Sequence, residues 1–484
     1  MTRAAGDFTD TGGGNPRGAG LSSGNAALIA FLWACVASPF VLLGYGSVAD
    51  AWLVARAAAS IWENCAYAAS RSTGFPLYEL LQVLPVRAGR WLLSNMMSIL
   101  AGLALLSALF RLARRGRFRH AAVTIVTLAF LPIVVTNSSS TMDYIPGLAL
   151  LLWAYALLLE NRRAYSSILL GLAVGFRPSN GLFLIPVLVF LLLDGRRPRD
   201  LLIYAAVATT VGAVGFLPAL LSVGLNPSLG VMDLGTATRA VIGFYNAAAL
   251  FGVPGSLAVA AAFLRAFRNR GRSSMRRPLP AFHVTVIALW TLLFIMLPDE
   301  PEYLLPAAPS VIFMLDAALP KKFWIAVSVI LLSYHFVRIE TAGGESGDRR
   351  FELSLRPGWT VADAQDRVFK LSVREAAGRA PMDVPTVLMY GALWIPTDNP
   401  EWRMDEALGM HKRGDGRLLV SEAIMDEGRL ERLRQSGYRL VIWKADKWEY
   451  MRGGGFNWRK HVEVIDDLEA FFGSPLKGRP ESLR

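Results

Sequence analysis

The chain has 484 residues, of which 53% are hydrophobic and 18% charged, whereas a soluble domain is about a quarter charged. Long apolar runs exclude disorder, and two cysteines set far apart, Cys35 and Cys65, exclude a disulfide scaffold. The net charge of +12 does not indicate a nucleic-acid partner, because the arginines stand beside apolar runs, where they mark membrane topology.

A membrane-crossing helix needs about 20 mostly apolar residues, since its backbone groups must be satisfied internally. The first run, 26–45, follows a Gly-rich tail over 1–25, predicted to be disordered, and shows no small-residue cleavage site. It therefore reads as a retained anchor and not as a signal peptide. An outer loop over 46–90 comes next. Its segment 51–69 carries Trp52, Leu53, Ile61, Trp62 and Tyr67 among alanines, which predicts an amphipathic helix lying at the interface. Gly74-Phe75-Pro76 then breaks the chain before a second short helix bearing Tyr78 and Glu79.

Further runs lie at 91–110, 121–136, 144–159, 166–176, 181–193, 201–223, 247–264, 282–297, 304–319 and 323–337, giving about eleven segments. Among them only 304–319 holds an internal charge, Asp316, which is expected to pair with Lys321 and Lys322. Arginines and lysines gather at alternate loops: Arg111, Arg114, Arg115, Arg117 and Arg119; Arg162 and Arg163; Arg196, Arg197 and Arg199; Arg265, Arg268, Arg270, Arg272, Arg276 and Arg277; Lys321 and Lys322. Such loops are cytoplasmic, which places the amino terminus inside and everything after Val337 outside. Asp50, Asp143, Asp233, Asp299, Glu300 and Glu302 then fall on the outer face. The two short runs around Arg177 form a hairpin whose tip, 176–180, points outward or ends within the membrane.

Beyond Val337 the composition is that of a soluble protein. Segments 386–390, 417–420 and 438–443 read as strands and 425–435 as a helix, which predicts a small α/β domain over 339–484. It holds no phosphate loop, metal cluster or nucleophile elbow. The predicted fold class is thus an α-helical polytopic membrane protein, residues 26–338, with a C-terminal α/β domain.

An ionisable residue beside a membrane span is costly, so each one is a functional candidate. Asp143 is the only formal charge between His120 and Glu160, and Asp50 follows the first span directly. Each also lies three residues after a serine, Ser140 and Ser47, so each fits a helix capping box equally well. Arg56 and Arg71 on the first outer loop can grip a phosphate through a bidentate pair, or simply face headgroups and solvent. Arg177 precedes Pro178, where a helix break is expected, and either snorkels to the headgroups or joins Asp143. Glu300, Glu302 and Tyr303 open a late span. An aspartate there can act as general base and an arginine can hold an anionic leaving group. Two close carboxylates would raise one proton affinity or hold a divalent cation between them.

This pattern resembles the GT-C clan of membrane glycosyltransferases, in particular the branch of protein O-mannosyltransferases and lipid A aminoarabinose transferases. The resemblance covers most of 26–337. It rests on Asp50 past the first span, the interfacial helices, Thr141-Met142-Asp143-Tyr144, Gly175-Phe176-Arg177-Pro178 and Glu302-Tyr303-Leu304-Leu305-Pro306, in that order and with the same sidedness. It implies an inner-membrane enzyme that moves a sugar from a polyprenyl-phosphate donor to an envelope acceptor. Asp50 would be the base, Asp143 would help to position acceptor or base, and Arg56, Arg71, Tyr78, Arg177, Glu300, Glu302 and Tyr303 would contact substrate. Many relatives carry two adjacent acids in the first loop, whereas here Ala49 precedes Asp50. A polytopic transporter or lipid-linked-sugar flippase is the competing reading; it requires essential groups reachable from both faces.

Overall fold

The computed structural model describes residues 21–71, 73–224, 236–269, 278–298, 300–342, 352–389, 395–398, 402–405, 408, 410–421, 427–443, 462–465 and 467–477. Asp233, Asp299, Arg270, Arg272, Arg276, Arg277 and the tail residues 1–20 lie outside them.

Helix α1 (Ser23–Ala37) opens on Ser22, whose hydroxyl accepts from the Asn25 N–H at 3.2 Å, so the tail gives way to helix slightly before residue 25. The Ala-rich α2 (Ala49–Asn64) follows and stops at Cys65, which is left-handed at φ 49°. Pro76 starts α3 (Pro76–Arg114), where a proline costs no hydrogen bond. The predicted second short helix and second span are one element here, bent at Gly89 and Arg90.

The run at 121–136 divides at Pro132 into α4 (Ala121–Ala129) and α5 (Pro132–Asn137). The central α6 (Tyr144–Leu159) is apolar all round and almost wholly buried, as such a helix must be. A hairpin of α7 (Arg163–Phe176) and α8 (Leu184–Leu193) turns at Arg177, whose extended backbone meets the restraint set by Pro178. There follow α9 (Pro198–Val223), α10 (Thr236–Asn269), α11 (Pro278–Met296), α12 (Ala308–Ala318) and α13 (Lys321–Ser333). Gly252 bends α10 at φ 70°, and a Cβ there would come within 2.6 Å of the Tyr334 ring.

Among the described residues, five stretches are long and apolar enough to cross a membrane: Ser23–Leu42, Pro76–Arg114, Pro198–Ser222, Asn246–Arg265 and Pro278–Met296. Tyr144–Leu159, Arg163–Phe176 and Pro178–Leu193 are shorter apolar helices. Phe31 on α1, Leu100 on α3, Leu202 and Leu221 on α9 and Ile295 on α11 stand exposed. Faces of that kind are stable against lipid and not against water. The protein is a polytopic helical membrane protein. Asp316 does not serve the lysines as expected; its carboxylate accepts the backbone N–H groups of Arg119 at 2.6 Å and His120 at 2.8 Å, supplying partners where α4 begins.

After α13 the hairpin of β1 (Val337–Ala342) and β2 (Glu352–Pro357) leads into α14 (Trp359–Arg379). A mixed six-stranded sheet follows, made of β3 (Thr386–Met389), β4 (Trp402–Asp405), β5 (Met410–Arg413), β6 (Leu418–Ser421), β7 (Arg439–Trp443) and β8 (Glu463–Ile465), with α15 (Glu427–Gln435) and α16 (Leu468–Phe472). Its order is β4-β5-β6-β3-β7-β8, and β3 runs parallel to both β6 and β7. Those three central strands coincide with the apolar runs read from sequence. The hairpin, α14, β4 and β5 have no such signature.

Candidate active site

Asp143 ends a polar loop that many bonds hold in place. Ser138 and Ser140 donate to the carbonyls of Val134 at 2.6 Å and Thr136 at 2.7 Å. The Thr141 N–H donates to the Tyr45 carbonyl at 2.8 Å and its hydroxyl to Asn95 Oδ1 at 3.0 Å, while Ser98 donates to the Ser140 carbonyl at 2.6 Å. From beyond α13, the buried Arg367 on α14 donates to the carbonyls of Ser139 at 2.8 Å and Thr136 at 3.0 Å and to the Ser140 hydroxyl, and is itself held by Asp363 at 2.7 Å.

The capping-box alternative fails at both aspartates. Asp143 precedes α6 without capping it, and the Ser140 hydroxyl faces back to Thr136. Val48 precedes α2 without a side-chain cap, and the Ser47 hydroxyl donates to Asp363. Both carboxylates are instead engaged by guanidiniums. Arg71 donates from Nη1 to Asp50 Oδ2 at 2.7 Å and from Nη2 to Asp143 Oδ1 at 2.6 Å; Arg177 donates from Nη1 to Asp143 Oδ2 at 2.7 Å. Asp143 is 0% exposed, whereas the Asp50 side chain is 20% exposed. Burial alone would raise the Asp143 carboxyl, but the charges of Arg177 and Arg71 outweigh it and hold the group below the usual carboxylate range. The Nε–H of Arg71 is buried and has no hydrogen-bond partner among the described residues.

Aromatic rings wall the two cations. Arg71 lies 3.7 Å from the Phe75 ring centre, and Arg177 lies 4.0 Å from Tyr144 and 5.0 Å from Tyr303, both within cation–π range. The Tyr144 hydroxyl donates to Glu300, and Asn137 Nδ2 donates to Glu302 Oε1 at 3.4 Å. Burial, reinforced by Asp50, pushes the Glu300 carboxyl up; burial and Glu300 push Glu302 up to about 7. Glu300 precedes the 3-10 turn Pro301–Ala307 and Glu302 lies in its first turn, so both stand at a helix start just ahead of α12.

The structure thus brings Asp50, Arg71, Asp143, Arg177, Glu300, Glu302 and Tyr303 into one network. Arg56 lies on α2, and its charge acts on His411 of the sheet. Tyr78 is buried behind the network with its ring 6.1 Å from Phe176. Arg71 stands between the two aspartates, where the sequence reading left room for a cation. Among the described residues no group of three or more His, Cys, Asp or Glu side chains is placed to hold a metal.

Glu79 escaped the sequence reading as a functional group. Its buried carboxylate gathers the Ser70 N–H at 2.6 Å, the Phe75 N–H at 2.9 Å and the Tyr67 hydroxyl, folding the segment that presents Arg71. Gly74 in that segment is at φ 69°, and a Cβ there would meet the Tyr67 hydroxyl at 2.4 Å. An acid in the first turn after Phe75-Pro76 was the available signal. Arg367 gave none, because its partners lie 228 residues away in sequence.

No family model and no curated protein sequence matches the chain. Among solved structures it is similar to ArnT from Cupriavidus metallidurans bound to undecaprenyl phosphate, with 15% identity and a TM-score of 0.45, over 63% of this chain and 62% of that one. The chain therefore spans less than two thirds of that relative's length in the match. It is also similar to the apo state of the same ArnT, with 12% identity and a TM-score of 0.35, over 93% of this chain and 90% of that one.

Proposed function

We propose that this protein is a glycosyltransferase of the GT-C kind, moving a sugar from a polyprenyl-phosphate donor to an envelope acceptor at the outer face of the inner membrane. The observation that carries the reading is the Arg71 bridge between a buried Asp143 and a partly exposed Asp50, with a further buried guanidinium N–H left without a partner. Groups of this cost at the ends of apolar helices are kept for chemistry or transport.

A general base must reach the proton it takes. Asp50 therefore removes the proton from the acceptor hydroxyl or amine, while Asp143 holds both guanidiniums in place. The acceptor atom bonds to the anomeric carbon as the bond from that carbon to the phosphate oxygen breaks. The electron pair leaves on polyprenyl phosphate, whose growing charge meets the remaining N–H groups of Arg71 and Arg177. A single displacement of this kind inverts the anomeric centre. Arg71, seated between the carboxylates, gives the charge balance that a divalent cation would otherwise supply. Tyr303, Glu300 and Glu302 line the acceptor side. Two features support the sidedness: the arginines of α3 gather around Glu160 at the far end of α6, and α14 packs against the loop that bears Asp143.

The test is an envelope glycan and lipid profile of a deletion strain complemented with wild type or with Asp50→Asn at equal membrane insertion. One sugar is expected to vanish on deletion, to return with wild type and to stay absent with Asp50→Asn. Full restoration by Asp50→Asn would make Asp50 structural and move the transporter reading ahead.

A further inference from the structure

At the other end of α6 lies a second charged cluster, which the proposed transfer reaction does not use. Glu160, the residue that ends α6, is surrounded by Arg111 and Arg115 from the end of α3 and by Arg162 from the turn into α7. Arg111 grips it as a fork, Nε to Oε1 at 2.7 Å and Nη2 to Oε2 at 2.5 Å. Arg115 and Arg162 approach it more loosely, through Nε at 3.3 Å and 3.7 Å. Arg117 points Nη2 at the Leu159 carbonyl at 3.5 Å. These four arginines, with Glu160, Leu112, Ala156 and Leu159, line a cavity of about 270 Å³.

Four guanidiniums face one carboxylate. The carbonyl ends of α3 and α6 add roughly half a negative charge each, which still leaves the cavity positive by about two charges. Arg115 and Arg162 are 62% and 58% exposed, and each approaches Glu160 through Nε at more than 3 Å. Topology alone asks for positive charge somewhere in an inner loop. It does not ask for guanidiniums from two separate loops to converge on one cavity, with Arg111 braced 5.3 Å from the Trp153 ring. Fork-shaped donors around an open space match the oxygens of a tetrahedral phosphate.

We propose that this cavity is a phosphate-binding site, filled either by the headgroup of an anionic lipid of the inner leaflet or by a free phosphate compound. Basic pockets between helices at that depth are where such headgroups bind.

The test uses the full chain in detergent and follows its unfolding midpoint against added dioctanoyl phosphatidylglycerol, dioctanoyl phosphatidylcholine or inorganic phosphate at constant ionic strength. Phosphatidylglycerol is expected to raise the midpoint of wild type and of Arg196→Gln, a control arginine paired with Asp194. The double variant Arg115→Gln/Arg162→Gln should need about a hundredfold more for the same shift, tenfold for each charge-assisted bond lost. Arg115→Lys, which keeps the charge without the fork, should fall between them. If the double variant does not fold, Arg115→Gln alone carries the comparison. A shift with phosphatidylglycerol only identifies the headgroup as source; an equal shift with inorganic phosphate, lost in the same variants, identifies a free phosphate compound. No shift from either probe, an equal response to phosphatidylcholine, or an unchanged response in the variants would overturn the proposal.

Discussion

The two ends of α6 carry the same chemistry in different surroundings. At one end Asp143 is wholly buried between two arginines that stand among aromatic rings; at the other Glu160 is held by arginines that line an open cavity, two of them more than half exposed. An ion pair in water contributes about 0–1 kcal/mol, whereas breaking a buried one by removing a partner costs about 3–5 kcal/mol. The two ends of one helix of 16 residues, roughly 24 Å in length, thus differ in what the loss of a charge costs.

Substitutions should expose that contrast in graded steps. Asp143→Ala leaves Arg71 and Arg177 buried without their shared partner, and a loss of about 3–5 kcal/mol is expected in detergent unfolding; a loss below 1 kcal/mol would mean that water reaches the cluster. Arg367→Ala removes a buried cation from Asp363 and three acceptors in the loop before Asp143. A loss of about 3 kcal/mol is expected, with faster proteolysis of that loop. Glu79→Gln weakens the grip on Ser70, Phe75 and Tyr67 and should lower stability by about 1–3 kcal/mol, with a fall in the proposed transfer activity as Arg71 loosens.

Glu302 yields a pH prediction. Its carboxyl is raised from 4.5 to about 7 in the folded protein, mainly by burial. Its contribution to stability is thus complete below pH 4.5 and is lost as pH rises through 7. Glu302→Gln should flatten the unfolding midpoint across that window, and a slope unchanged from wild type would assign the titration to another group. Glu160→Gln should have the smallest effect, within about 1 kcal/mol, because most of its arginine partners remain solvated.

Isolated charges in apolar sequence were readable in advance, because the membrane makes each one expensive. Asp50, Asp143 and Arg177 stand out on that ground and Arg71 as a first-loop guanidinium suited to a phosphate, and the structure brings the four together. The central strands were readable for a related reason, since a parallel strand buried on both faces is a continuous apolar run. Arg56 shows the limit: on an amphipathic helix, sequence gives the residue without the face, and here its charge lies toward His411. The serine spacings misled because capping competes with other partners, and Ser47 found Asp363 on a segment 316 residues later. Arg367 acts through neighbours more than 200 residues away, so periodicity and composition carry no trace of what it holds, whereas Glu79 shows only as an acid in the first turn of α3.

The contact between Arg367 and Ser139 also sets a schedule for biosynthesis. Its two residues are 228 positions apart, and at roughly 5–20 residues per second the ribosome needs about 10–45 s to travel between them. Throughout that interval the membrane helices emerge with the loop before Asp143 lacking its last restraint. The bonds within the bundle can form first, and those from Arg367 follow only once α14 has been made. The restraint that α14 adds to the charged end of the bundle is thus the last of the set to be synthesised.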